Sequence, residues 1–286
     1  MAERLLTFFG VRGSYAVADR RMSRTGGNTA CVLIRTGGEW LILDSGTGII
    51  SAGRAILRAR RSSRRIHIFL THLHLDHIMG LTFFAPLFDR RYRVDIYGPR
   101  FQGISARRTV EALFQPPFSP ITMKGIRASL TFHELRPDRP EPVTLAGSVC
   151  VEYRRHNSSP LLDVLIYKIR QSPQGSAVVF ATDVESPHGF APGLQRFIQN
   201  ADILIHDSQY QDREYHRRRN GKKGYGHSTV SMAVANAKLC HARKLFLFHH
   251  NPEYDDRMLE RMLLQARKMF RPTYLAKEMK EISLRS

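Results

Sequence analysis

Between positions 71 and 77 the chain reads Thr-His-Leu-His-Leu-Asp-His, packing three imidazoles and one carboxylate into six residues. Imidazole nitrogens with a minority of carboxylate oxygens form a zinc-type ligand set that manganese or iron can also occupy. His72 and His74, at i and i+2 beyond an apolar run, share one side of an extended chain. Asp76 and His77 then fall at the start of a helical pattern, where the turn lets them face a second ion. Two ions need further ligands. His156 follows the strand-like Val151–Arg155, Asp183 ends an apolar run, and His249 ends another, with His250 as its immediate rival.

The elements that must position these residues follow from apolar patterning. Short runs rich in β-branched and aromatic residues recur at Cys31–Ile34, Trp40–Leu43, Ile66–Leu70, Val94–Tyr97, Val164–Ile169, Ala177–Phe180, Ile203–Ile205 and Leu245–Phe248, and they read as strands. Gly37-Gly38 marks a hairpin turn between the first two. Helical spacing appears at Ile49–Arg60, Ile78–Leu87, Ser105–Phe114, Val230–Leu239 and Asp256–Met269. Strands with covering helices in both halves indicate a layered α+β sandwich rather than a purely parallel α/β fold. One order repeats across the halves: an apolar strand ending in Asp44, then one ending in Thr71-His72, then one ending in Asp183, then one ending in His249-His250. Strand ends hold side chains rigidly along one edge of such a sandwich.

Composition narrows the class. The 286 residues are 42% hydrophobic, enough for a sizeable core, and no apolar run reaches the roughly 18 residues of a membrane span. The N-terminus lacks the features of a secretory signal, so a cytoplasmic protein with no membrane partner is expected. Cys31, Cys150 and Cys240 are scattered among aliphatic residues and read as small buried hydrophobes. Lys and Arg number 44 against 25 Asp and Glu, a net charge of +19. Arginine clusters at 58–65, at 90–93 and at 217–219 followed by Lys222 and Lys223. Such a field attracts anions and offers RNA or nucleotides a basic surface, although aromatic residues do not alternate with the arginines in sequence.

The HxHxDH motif, followed by His156, strand-end Asp183 and strand-end His249, resembles the metallo-β-lactamase superfamily over nearly the whole chain. The resemblance implies a four-layer αββα sandwich forming one hydrolase domain over 1–286, with a substrate-wall insertion at about 97–140. It implies His72, His74 and His156 on one divalent ion, Asp76, His77 and His249 on another, and Asp183 bridging. Asp44 would stand behind the metal-bound imidazoles and orient them. Two divalent ions less two carboxylates and a hydroxide leave about one net positive charge, suited to an anionic phosphate, and the ions lower the pKa of water toward ~7.

Within the superfamily, Ala201–Tyr210 and Gly224-Tyr-Gly-His-Ser-Thr229 resemble the phosphodiesterase branch, which includes tRNA 3′-processing endonucleases and phosphoribosyl cyclic phosphodiesterases. That resemblance implies His227 near the scissile phosphate, acting with Asp76 as a catalytic group and protonating the leaving alkoxide. Ser228 and Thr229 open a helix and either cap it or hold phosphate oxygens. Phe9–Ser14 and Thr25–Thr29 resemble a bacterial subgroup of the same fold, implying Asn28 near the substrate and Arg12 at the phosphate. The expected activity is hydrolysis of a small cyclic or nucleotide-like phosphate diester by water activated between two ions. An RNA-end endonuclease of the tRNA 3′-processing type and a non-catalytic nucleotide-binding sensor are the alternatives. The chain shows neither the long Gly/Pro-rich arm of the tRNA-processing enzymes nor the Cys-rich structural zinc site of the phosphonate-pathway enzymes. The sequence leaves the oligomeric state open, a homodimer among the options.

Overall fold

The computed structural model describes residues 4–36, 38–59, 63–146, 149–171 and 175–284. Gly37, Arg60 and Arg61, assigned above to a hairpin turn, a helix end and a basic cluster, lie outside them.

The chain first lays down β1 (Arg4–Gly10), β2 (Cys31–Thr36), β3 (Glu39–Leu43), β4 (Arg65–Phe69), β5 (Arg93–Phe101), β6 (Ile104–Ser105) and β7 (Ser129–Leu135). It then builds β8 (Val143–Leu145), β9 (Val149–Ser159), β10 (Leu162–Arg170), β11 (Val178–Ala181), β12 (Ile203–Asp207), β13 (Leu245–Phe248) and β14 (Thr273–Leu275), and β15 (Glu281–Leu284) returns beside β1. The first sheet runs β15-β1-β2-β3-β4-β5-β6 with β7 on β5, and the second runs β14-β13-β12-β11-β10-β9-β8. Both sheets are mixed. β3, β4, β5 and β7 are parallel, as are β11 to β14.

Continuous apolar runs form these strands because both faces are buried. Leu41, Leu43, Phe69, Phe180 and Phe248 point into the core between the sheets. Their neighbours Ile42 and Ile68 pack outward under α1 (Gly48–Arg58) and α3 (Ala106–Leu113). Val179, Leu204 and Leu247 pack outward under α4 (Pro192–Ile198), α6 (Val230–Leu239) and α7 (Asp256–Met269). The result is helix, sheet, sheet, helix. No helix among the described residues is long and apolar enough to cross a membrane.

The helical pattern at Ile78–Leu87 does not yield one helix. Instead α2 (Leu75–Ile78) gives way to 3₁₀ turns at Met79–Phe83 and Ala85–Phe88. Gly80 sits so close to the turn between β3 and α1 that a Cβ there would lie 2.1 Å from the Gly46 carbonyl oxygen, and Pro86 offers no N–H to continue a helix. The segment 97–140 contributes β7 to the first sheet and α3 to its cover, with Phe114 buried and Phe118 exposed.

Two contacts carry the second sheet to the motif at residue 71. The Tyr167 hydroxyl of β10 donates to Leu70 O at 2.6 Å, and Leu165 N donates to Thr71 O at 2.9 Å. Tyr167→Phe removes the hydroxyl donor from the buried Leu70 carbonyl. It should lower unfolding free energy by about 1–3 kcal/mol in urea titrations with unchanged far-UV circular dichroism. Wild-type stability would contradict that bracing role.

Candidate metal centre

The carboxyl ends of β3, β4, β11, β12 and β13 meet along one edge, and each delivers a polar side chain there. Asp44, Asp183 and His249, each just past its strand, have φ of 58°, 54° and 57°. This left-handed backbone is uncommon for residues other than glycine and costs about 1–3 kcal/mol per site. It folds each strand-end side chain back into the edge rather than onward along the strand. The surroundings hold these turns in place. Gly13 packs against His249, where a Cβ would fall 2.4 Å from the ring, and the pair Gly13 N to His250 O (3.1 Å) and His250 N to Val11 O (2.9 Å) ties the N-terminal segment to the turn.

Four ligand atoms converge with the spacing of a coordination shell. His77 Nε2 and His249 Nε2 are 3.2 Å apart, and Asp183 Oδ2 lies 3.2 Å from each. Asp76 Oδ2 lies 3.4 Å from both imidazole nitrogens. Donors on one zinc with bonds of 2.0–2.1 Å lie about 3.3–3.4 Å apart, so the atoms of Asp76, His77 and His249 match three ligands of one divalent cation, with Asp183 against both imidazoles. Imidazole tautomers are set to suit it. Asp44 accepts from His77 Nδ1 at 2.8 Å, from Thr71 N at 2.8 Å and from the Thr71 hydroxyl at 2.9 Å. With its proton directed to Asp44, Thr71 Oγ1 accepts from His72 Nδ1 at 3.0 Å. Both rings therefore turn Nε2 toward the centre, and His72 Nε2 is buried without a hydrogen-bond partner. Such carboxylate-backed imidazoles are what a metal site needs.

Asp183 faces two ways. Its Oδ2 lies against His77 and His249, while Oδ1 turns toward His72 Nε2 at 3.6 Å. His74 stands edge-on beside the His72 ring, with centroids 4.5 Å apart. His156 is not among the groups that converge here. Tyr153 of β9 faces the core between the sheets, and strand alternation puts His156 on the opposite face. There its ring meets Phe190 edge-on at 5.4 Å and its Nε2 lies 3.1 Å from Glu185 O. Ser158 approaches the centre instead, its hydroxyl donating to Asp183 O at 2.5 Å.

His227 lies at the rim, its ring stacked on His249 with centroids 5.0 Å apart. Its Nδ1 donates to Asp207 Oδ2 at 2.8 Å. Burial disfavours the charged ring, but Asp207, and then Asp183 and Asp76, outweigh it and carry the pKa up to about 9. At the centre, burial works against the charged forms of Asp76 and His77 alike. For Asp76, His77 and His249 prevail and hold the carboxyl below its usual range. For His77, Asp183, Asp76 and Asp44 prevail and raise it. A divalent ion replaces that proton, so affinity weakens as pH falls.

Asp207 was not singled out from the sequence, although it ends an apolar strand just as Asp44 and Asp183 do. It organises the rim, accepting from Asp183 N at 3.1 Å, Ser228 N at 3.0 Å and Gln209 N at 3.1 Å besides His227. Ser14 was also missed, and its backbone N–H donates to Asp76 Oδ2 at 2.7 Å.

Several expected substrate contacts are engaged within the fold instead. The Arg12 guanidinium is fully buried and donates to Gly26 O, Asn251 O and Tyr254 O, making it an internal strut rather than a phosphate ligand. Asn28 is held by Glu278, to which its Nδ2 donates at 2.9 Å. The Ser228 hydroxyl donates to Val184 O at 2.6 Å. Thr229 caps α6 by accepting from Met232 N and donates to Asp212 at 2.5 Å. His250 turns away to Ala276 O at 3.1 Å, while His249 joins the cluster.

The profile of the Beta-lactamase superfamily domain matches residues 39–250, which hold most of this geometry. The chain belongs to this family. The metallo-β-lactamase fold accounts for its two facing sheets and their helical covers, and its divalent ion is the group that the His/Asp cluster fits. A ribonuclease Z from Prochlorococcus marinus is 23% identical over 96% of this chain and 97% of its own length. The crystal structure of the metallo-β-lactamase fold protein YhfI from Bacillus subtilis superposes with a TM-score of 0.68 at 18% identity, covering 99% of this chain and 100% of that one. A diphosphatase of the PhnP family superposes with a TM-score of 0.69 at 17% identity, covering 98% and 97%.

Asp44→Asn keeps the shape of the group that orients His72 and His77 but removes its charge. Metal affinity should drop about 10- to 100-fold in competition with a chromophoric chelator, and unaltered affinity would show that Asp44 does not set these imidazoles.

Proposed function

We propose that this single hydrolase domain is a metal-dependent phosphodiesterase. It would hold two divalent ions, zinc ahead of manganese or iron, and act in the cytoplasm on a small anionic cyclic or nucleotide-like diester. The observation that carries the proposal is the split orientation of Asp183, with one oxygen against His77 and His249 and the other turned to His72, beside an imidazole backed by Asp207. Bound ions would supply Lewis acidity and lower the pKa of water toward ~7.

The chain's own groups supply the rest. His72, His74 and Asp183 would serve one ion, and Asp76, His77, His249 and the same Asp183 the other. Ser14 N–H steadies Asp76. With Nδ1 committed to Asp207, His227 has Nε2 left to protonate a departing alkoxide, and its charge suits the oxygens of a pentavalent phosphorus. An acid at the rim is of most use where the leaving group is an alkoxide, which favours a phosphate diester. A second reading, cleavage at an RNA end, draws on the curated relative named ribonuclease Z and on the net charge of +19.

His227→Ala should lower kcat for bis-p-nitrophenyl phosphate, a cyclic nucleotide or a ribose cyclic phosphate by about 10²- to 10⁴-fold while metal content stays at the wild-type value. Purified, metal-loaded protein that binds nucleotides yet turns over no diester would point to a sensor and defeat the proposal.

A further inference from the structure

Glu185 lies two residues beyond Asp183, is nearly buried, and is not one of the cluster's ligand groups. Its carboxylate accepts from the Tyr215 hydroxyl at 2.5 Å, from Gly224 N at 2.7 Å and from Gly226 N at 2.7 Å. These donors stand at the two ends of one surface loop, residues 216–226, so a single carboxylate pins both ends to the segment that carries Asp183. The loop is also folded on itself. Lys222 N donates to Tyr215 O at 3.2 Å, and Gly221 approaches Arg217 so closely that a Cβ would lie 2.3 Å from its carbonyl oxygen. Gly224 and Gly226 have φ of 84° and 86°, where a side chain would be strained. The last turn runs straight into His227.

This pinned loop carries Arg217, Arg218, Arg219, Lys222 and Lys223, and among the described residues no ion pair is recorded for any of them. Arg217, Arg218, Arg219 and Lys223 are exposed. Tyr225 is 61% exposed, with Lys222 Nζ 5.3 Å from its ring centre. The aromatic residue missing from the linear Arg pattern is thus supplied by the fold. Four residues of chain span at most about 14 Å, so the whole stretch from Lys223 onward stays close to His227.

We infer that residues 217–225 form a docking surface for a single strand of nucleic acid, gripping phosphates beyond the scissile one and stacking a base on Tyr225. This rests on the phosphodiester reading of the adjacent centre and names the substrates it would favour. Unpaired cations on a rigid mount attract a polyanion without first breaking internal ion pairs, and a lone exposed ring serves bases of any sequence. A cyclic diester carrying one phosphate has nothing for five cations to hold. Glu185 is a positioning residue, acting through the loop.

The test uses full-length, metal-loaded protein, a fluorescein-labelled 12-nucleotide single-stranded RNA read by anisotropy between 50 and 200 mM KCl, and bis-p-nitrophenyl phosphate hydrolysis as a separate measurement. The triple substitution Arg217→Ala, Arg218→Ala, Arg219→Ala should weaken RNA binding at least about tenfold and reduce the slope of log Kd against log salt by about 2, while hydrolysis of the small diester stays within about twofold. Tyr225→Ala should weaken binding with the salt slope unchanged. Wild-type RNA affinity and slope in the triple variant would overturn the inference, as would equally tight binding of a polyglutamate of the same length. If no diester is hydrolysed yet RNA binding still depends on the loop, the proposed activity fails and the docking surface stands.

Discussion

Asp183 is a buried carboxylate surrounded by imidazoles, and no other position imposes so many conditions on the chain around it. Its backbone is left-handed, its amide donates to Asp207, and its two oxygens face His72 on one side and His77 with His249 on the other. A buried charge is costly unless paired and hydrogen-bonded, and here the pairing comes from both sheets. His72 and His77 arrive from the end of β4 and the α2 that follows, and His249 from β13. Neither sheet alone satisfies Asp183, so the packing of the two sheets and the assembly of the centre are one requirement.

The layer behind the ligands explains why they point inward. Asp44 and Thr71 together fix the tautomers of two imidazoles, and Tyr167 and Leu165 hold the Leu70-Thr71 backbone from the opposite sheet. On the other side of the centre, Asp207 joins Asp183, His227 and Ser228. Two strand-end aspartates, one per half of the molecule, thus do related work: each accepts one hydrogen bond from an imidazole and another from neighbouring backbone. Gly13 and Ser14 close the ring from the N-terminus.

Much of this was legible before the structure because short apolar runs rich in β-branched and aromatic residues are a strong strand signal when both faces are buried. All eight such runs are strands, and Val230–Leu239 and Asp256–Met269 are helices with the same bounds. The strands β1, β7 and β15, at or next to the sheet edges, were missed, since their polar residues interrupt the runs. His156 stands apart from the cluster, and a histidine after a strand says nothing of which face it takes; one residue of parity decides that. Arg12 and Asn28 went astray for another reason. Their neighbouring glycines marked a close approach of backbone to the site, and the atoms that approach are the main chain of residues 13 and 14 rather than polar side chains. Asp207 carried the same strand-end signal as Asp44, and the histidine beside it in sequence, His206, turns to Asn236 rather than to the centre.

The central claim is that strand ends turned back by left-handed residues build a cage for a divalent ion. Anomalous diffraction at the zinc edge from crystals of the metal-loaded protein tests it most directly. The account predicts a peak about 2.0–2.2 Å from His77 Nε2, His249 Nε2 and the nearest carboxylate oxygens of Asp76 and Asp183. A peak lying elsewhere, or none at these residues in protein that binds zinc stoichiometrically, would contradict it.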